Sequence, residues 1–308
     1  MNIKGIIAIA LVAVFVFAAG FYIPKFLQSW DINVSVKKKA QVQTQTSTYD
    51  VQALAQQVVP AEGVKLGVKF GDIGPKLIQS GTIDLEKFKA IYQGANALTD
   101  EQLEILTLGR DQEITVNAGN AHFLLNLFWA LGLANKNKIL DEGVMVEGGR
   151  AKVGNFASTG GWTVSKTKAV NYYSKFQIIP ISADQQKIVE EVANGVFRPC
   201  CNNSTAFPDC NHGMAALGLA ELMVSQGATA DQIFDALKAM NSYWFSNQYI
   251  ELAGYFEAKE GTAWKDVPAR TVLGREYSSS SGWKKVHDWL SANNFLPPAT
   301  NGGSSCGV

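Results

Sequence analysis

Two stretches of this chain, residues 118–133 and 212–224, are apolar nearly all round at helical length. A helix without a polar face cannot rest on a surface, so this pair belongs at the centre of a bundle and the other elements must be arranged around it. Three capping boxes place further helix starts: Thr99 with Gln102, Ser182 with Gln185, and Thr229 with Gln232. In each, a hydroxyl and an amide three residues later satisfy free backbone donors. Apolar periodicity extends these starts through 103–108, 188–196 and 233–240, and adds helices at 84–92, 243–256 and 283–290. Only 64–70 and 177–181 read as strands, too few for a sheet of consequence. The expected fold is mainly α, a multi-helix orthogonal bundle, with no repeat of solenoid length.

The N-terminus adds a different constraint. Residues 6–23 form an apolar run of eighteen, long enough to span a bilayer, so residues 1–24 are expected to be a single transmembrane helix acting as an uncleaved signal-anchor. Ala18, Ala19 and Gly20 supply the small residues a signal peptidase needs, and cleavage there would make the protein secreted. Lys4 competes with Lys25 and the Lys37–Lys39 cluster for the inner side of the membrane, and the folded part is expected on the extracytoplasmic side. Residues 25–50 read as a polar tether, 51–296 as a helical globular domain and 297–308 as a flexible tail carrying Cys306. Lys plus Arg equals Asp plus Glu at 27 each, which argues against a nucleic-acid partner. No nucleotide, flavin or haem motif is present.

Chemistry concentrates between Cys200 and His212, where three of the four cysteines and one of the three histidines fall within thirteen positions. Cys200, Cys201, Cys210 and His212 lie in a turn-rich loop at 197–214, framed by Pro199 and Pro208 and leading into an apolar helix. With Asp209 or Asn211 as N-cap, Cys210 would sit at the positive end of the helix dipole, where a thiol ionises easily. The thiolate is both nucleophile and metal ligand. Adjacent side chains on extended backbone point apart, so only one of Cys200 and Cys201 is expected to share a site with Cys210. A Cys/His set suits zinc or copper(I), the fourth position falling to the other cysteine, His122, Met214 or water, with Cys306 able to reach the site on its tether. Two alternatives remain open: a redox dithiol with Cys210 as nucleophile, and a structural disulfide from Cys210 to Cys200 or Cys201. The metal reading implies a metal-transfer partner, and the redox reading a thiol partner.

Residues 186–250 also resemble a known family. A helix, the segment Arg198-Pro199-Cys200-Cys201-Asn202, a helix ending at Gln226-Gly227 and a capped helix from Thr229 are similar to the thiol-bearing helical bundle of the cytochrome c maturation reductase subunit. That resemblance implies a helical scaffold for thiols. The C-x-x-C spacing of that family is absent here, and Cys210 with His212 has no counterpart in it.

Other features compete for function. Two glycine-tryptophan segments, 157–162 and 278–283, combine exposed backbone with flat faces and could serve a non-enzymatic envelope-binding module. The bland reading is turns with core tryptophans. His122 lies one turn before Asn126 and reads as a hydrogen-bonded core histidine, and His287 as a surface residue. Glu221 lies nine residues past His212, about 180° round the axis, and is poorly placed to act as a base for the same site.

Overall fold

A computed structural model describes residues 50–296. The apolar run at 6–23, nearly all of the tether and the tail with Cys306 lie outside the described residues. Among the described residues, no helix is long and apolar enough to cross a membrane.

The described residues are mainly helical, with one small sheet. In chain order, α1 spans Val51–Val58, β1 Val64–Gly71, α2 Ile73–Ser80, α3 Leu85–Ala90, α4 Asp100–Thr107 and β2 Arg110–Val116. Then come α5 at Ala121–Ala134, α6 at Ala183–Gly195, α7 at Asn211–Ser225, α8 at Ala230–Trp244, α9 at Ser246–Glu260 and α10 at Ser280–Ala292, with short helical turns between several of them. All three capping boxes form, opening α4, α6 and α8.

The two apolar helices, α5 and α7, are the centre. Every residue of α5 except His122 is buried, as is every residue of α7 from Gly213 to Val224. Their backbones touch. A Cβ on Gly218 would lie 2.2 Å from the Phe128 carbonyl oxygen, and one on Gly132 would lie 2.1 Å from that of Met214. Two facing glycines therefore bring the axes closer than side chains permit, and Met214 is fully buried at that crossing.

Sequence expectation and structure differ at several places, and α1 and α2 lie where no helix is expected from the sequence. Helix α5 starts at Ala121 because Asn117 and Asn120 form a side-chain-bonded turn, with Asn117 Oδ1 accepting from the Gly119 and Asn120 amides. Helices α8 and α9 are separated by one residue, Phe245 (φ −133°, ψ 49°). The stretch 177–181 is no strand, since the Ile179 amide is taken by the Asn135 side chain. The partner of β1 is instead β2, paired antiparallel with Val64 opposite Val116. Its polar opening Arg110-Asp-Gln-Glu hides the strand, and only its end is buried.

Farther along α7, Glu221 is fully buried, accepting from Asn137 Nδ2 at 2.7 Å. Its Oε2 and the nearby Asn135 Nδ2 have no geometric hydrogen-bond partner. Burial raises its carboxyl well above the ordinary range, and the amides of Asn137 and Asn135 offset this only in part.

Two outcomes follow from this packing. Gly218→Ala is expected to cost about 1–3 kcal/mol, because a backbone carbonyl rather than a pliable side chain must yield; urea denaturation measures it. The raised Glu221 pKa means that the unfolded chain releases this proton first. The stability it confers is therefore full below the unfolded glutamate pKa and is lost as pH rises towards the folded value. The stability difference between wild type and Glu221→Gln should thus shift in favour of the variant from pH 4 to pH 8, and a pH-independent difference would contradict the assignment.

Candidate metal centre

The loop between α6 and α7 is tied down from several sides. Thr205 and Ala206 donate backbone amides to Val196 and Ala193 at the end of α6, while Phe197 donates to Leu273. Both glycine-tryptophan segments brace it. The Ser158 amide donates to the Asp209 carbonyl, and the Ser280 amide to the Cys201 carbonyl. The Ser281 amide reaches Asn202 Oδ1 at 2.8 Å. Trp162 is buried, with its indole N–H on the Thr82 carbonyl, while half-buried Trp283 donates to Glu251.

Within this frame the sulfurs of Cys200, Cys201 and Cys210 all lie within 4.8 Å of one another, a group that could hold a metal ion. The closest pair recorded, Cys200 and Cys210, is 3.6 Å apart, and all three thiols are free. Both Cys200 and Cys201 take part, contrary to the extended-chain expectation. Residues 199–200 form a turn in which the Cys201 amide returns to the Arg198 carbonyl, so the alternation of extended side chains does not apply.

The N-cap of α7 is Cys210 itself rather than Asp209 or Asn211. Its backbone is extended (φ −114°, ψ 164°), and its sulfur accepts from the Gly213 amide at 3.4 Å. The decisive neighbour is Arg198, only 1% exposed. Its Nε donates to Cys210 Sγ at 3.1 Å, its Nη1 to the Asn203 carbonyl, and its Nη2 to the Phe207 carbonyl and to Asp209 Oδ1 at 3.0 Å. A guanidinium this deeply buried requires negative partners, and Asp209 and Cys210 supply them. Gly213 leaves the room: a Cβ there would lie 2.4 Å from Arg198 Nη2.

These contacts divide the three thiols. Hydrogen bonds from Cys200 and Cys201, followed by the charge of Arg198 and its own hydrogen bond, hold Cys210 well below the ordinary thiol range. Cys200 is raised chiefly by its hydrogen bonds to Cys201 and Cys210. For Cys201 the bond with Cys200 lowers the pKa, but the contact with Cys210 and burial outweigh it. Cys210 is therefore the most readily ionised of the three, with the Cys200 thiol 3.6 Å away and the Cys201 thiol turned to the Asn203 carbonyl at 3.9 Å, since three like charges this close repel.

The other candidate ligands lie elsewhere. His212 is not in the sulfur group; its ring packs 4.5 Å from that of Phe245 and 5.6 Å from that of Trp244. Burial lowers its pKa to about 4, leaving a neutral imidazole. The single-residue break between α8 and α9 is what puts Phe245 there. His122 is exposed at the start of α5 rather than in the core, contrary to the sequence expectation, because it points off the one face of α5 left uncovered, and its Nε2 lies 3.4 Å from Asn126 Nδ2 one turn on. His287 bonds Glu251 at 3.0 Å.

No family model, no curated protein and no solved structure matches the chain. Its chemistry rests on its own geometry.

Arg198 is the functional residue that sequence reasoning passed over as a site member. One signal existed: Gly213, in the first turn of an otherwise apolar helix, is a poor helix former that only a close neighbour explains. Arg198→Met is expected to raise the pH midpoint of Cys210 alkylation by iodoacetamide by at least about one unit. Peptide mass spectrometry reads each cysteine separately, and circular dichroism confirms folding. An unmoved midpoint in a folded variant would rule out Arg198 as a stabiliser of the thiolate.

Proposed function

We propose that this protein binds one soft or borderline metal ion, copper(I) or zinc(II), through Cys200, Cys201 and Cys210, at the extracytoplasmic face of a membrane to which residues 1–24 anchor it. The observation that carries the reading is the mutual proximity of three sulfurs, where a disulfide would account for only two. A metal–sulfur bond of about 2.3 Å places tetrahedral ligands about 3.8 Å apart, close to the 3.6 Å between Cys200 and Cys210. A disulfide requires about 2.05 Å. An all-sulfur set favours soft ions, and zinc would take its fourth ligand from solvent or a partner. Exposed Cys200 gives a donor or acceptor protein a route to the ion. Arg198 offsets part of the negative charge that three thiolates would bring.

The protonation pattern supplies a signature. With Cys210 already ionised, binding must displace the protons of Cys200 and Cys201, so about two protons are expected to leave per ion near neutral pH. Calorimetry in buffers of different ionisation enthalpy measures this. Elemental mass spectrometry of the full-length protein, purified without oxygen or chelator, should find about one ion per chain. Cys200→Ser, Cys201→Ser and Cys210→Ser should each lose it, whereas His212→Ala and Cys306→Ser should retain it. Absence of any bound ion after reconstitution with either metal would refute the proposal.

A thiol-disulfide enzyme is the second reading, supported by the pairing of a low-pKa Cys210 with a thiol 3.6 Å away. Partner proteins trapped as mixed disulfides on Cys210 in the Cys200→Ser variant, together with a metal-free wild type, would favour it. The resemblance to the cytochrome c maturation reductase subunit belongs to this reading.

A further inference from the structure

A cleft on the other side of the α7 start has no part in thiol chemistry. One cavity of about 490 Å³ is walled by Trp129, Trp162 and Val164 and receives Asn126 and Asn211. A second, of about 670 Å³, is lined by Tyr92 and Phe123 together with Asn96, Thr99 and Gln102. Both share Ile91 and His122 as lining, and no Asp, Glu, Lys or Arg lines either one.

Hydrogen bonds fix which polar atoms the cleft offers. The Tyr92 hydroxyl donates to the His122 carbonyl at 3.3 Å, and burial keeps it protonated, with a pKa of about 12. Its oxygen therefore accepts, and Asn126 must turn its Nδ2 towards it, at 2.8 Å. The same amide group lies 3.4 Å from His122 Nε2, which can then only accept, so the neutral ring carries its proton on Nδ1. Asn126 Oδ1 takes no hydrogen bond from the protein, although the residue is only 4% exposed and lines the first cavity. That oxygen opens on the cavity and can accept from a ligand N–H or O–H.

We propose that this cleft binds an uncharged, elongated small molecule, with an aromatic ring between the walls of the first cavity and amide or hydroxyl groups in the second. The two indoles meet edge to face at 4.9 Å and form an apolar wall suited to a flat ring. Trp129 is 8% exposed and Trp162 3%, so the wall they offer is narrow, room for the rim of one ring rather than for the successive stacked units of a sugar chain. The missing cation decides against a carboxylate or phosphate, which would be desolvated with nothing to pair it. Asn211 directly follows Cys210 in the chain, so the cleft and the thiol cluster share the first turn of α7 without sharing a lining sulfur.

N-acetyl-L-tyrosinamide serves as probe, titrated calorimetrically into the full-length protein. N-acetyl-L-tyrosine, which differs by its carboxylate, and chitotriose are the controls. The amide is expected to bind saturably, the carboxylate at least tenfold more weakly and the trisaccharide not at all. Thr163→Trp and Ile91→Trp, each at an exposed position on the rim, should lower affinity for the amide at least tenfold by filling the mouth. If one variant fails to fold, the other decides. No saturable binding below about 10 mM would overturn the proposal. So would equal binding of the carboxylate, preference for the sugar, or affinity unchanged in a folded variant.

Discussion

The close crossing of α5 and α7 sets the frame for the described residues. Facing glycines let the Phe128 and Met214 carbonyls approach the opposite backbone, and no other residue type allows that separation. This contact holds α7 at a fixed height and rotation against α5. Its consequence appears at the end of α7, where Cys210 and Gly213 receive Arg198. The same contact places His122 and Asn126, on the first turns of α5, at the cleft that Asn211 also lines. The thiol cluster and the cleft thus depend on one packing event.

Around the thiols, electrostatics and packing reinforce each other. A buried guanidinium would be costly alone, yet here it receives Asp209 and the Cys210 sulfur on one side and spends its remaining donors on loop carbonyls. In return it holds the loop in the turn that brings Cys200 and Cys201 to the same point. The result is a cluster that cannot ionise completely without a cation. A metal ion relieves that repulsion by replacing protons with a shared positive charge, and oxidation relieves it by joining two sulfurs. Gly213 is the small feature that makes both routes open, because any side chain there would occupy the place of the guanidinium.

Local codes were legible from the residues alone. Capping boxes satisfy backbone donors three residues away, so Thr99, Ser182 and Thr229 open their helices as expected. The apolar helices read as central because their composition leaves no polar face, and the concentration of Cys200, Cys201 and Cys210 marked a place for chemistry. Less local features were misread. Strand β2 carries a polar opening and is a strand only because β1 lies beside it. Residues 177–181 have strand composition, but Asn135 takes the backbone amide that a neighbouring strand would need.

Sequence by itself determined where most of the longer helices lie, which two must be buried and where the cysteines are concentrated. These are properties of neighbours along the chain, governed by hydrogen bonds and periodicity within a few residues. Tertiary structure alone decided that both cysteines of the adjacent pair approach Cys210 while His212 lies outside the sulfur group. It also decided that a buried arginine joins the helix N-terminus in facing the Cys210 sulfur, and that an uncharged cleft opens beside it. The physical reason is that a side chain's partner is set by where distant backbone passes: Phe245 draws His212 onto its ring, and Gly213 admits Arg198 from across the loop.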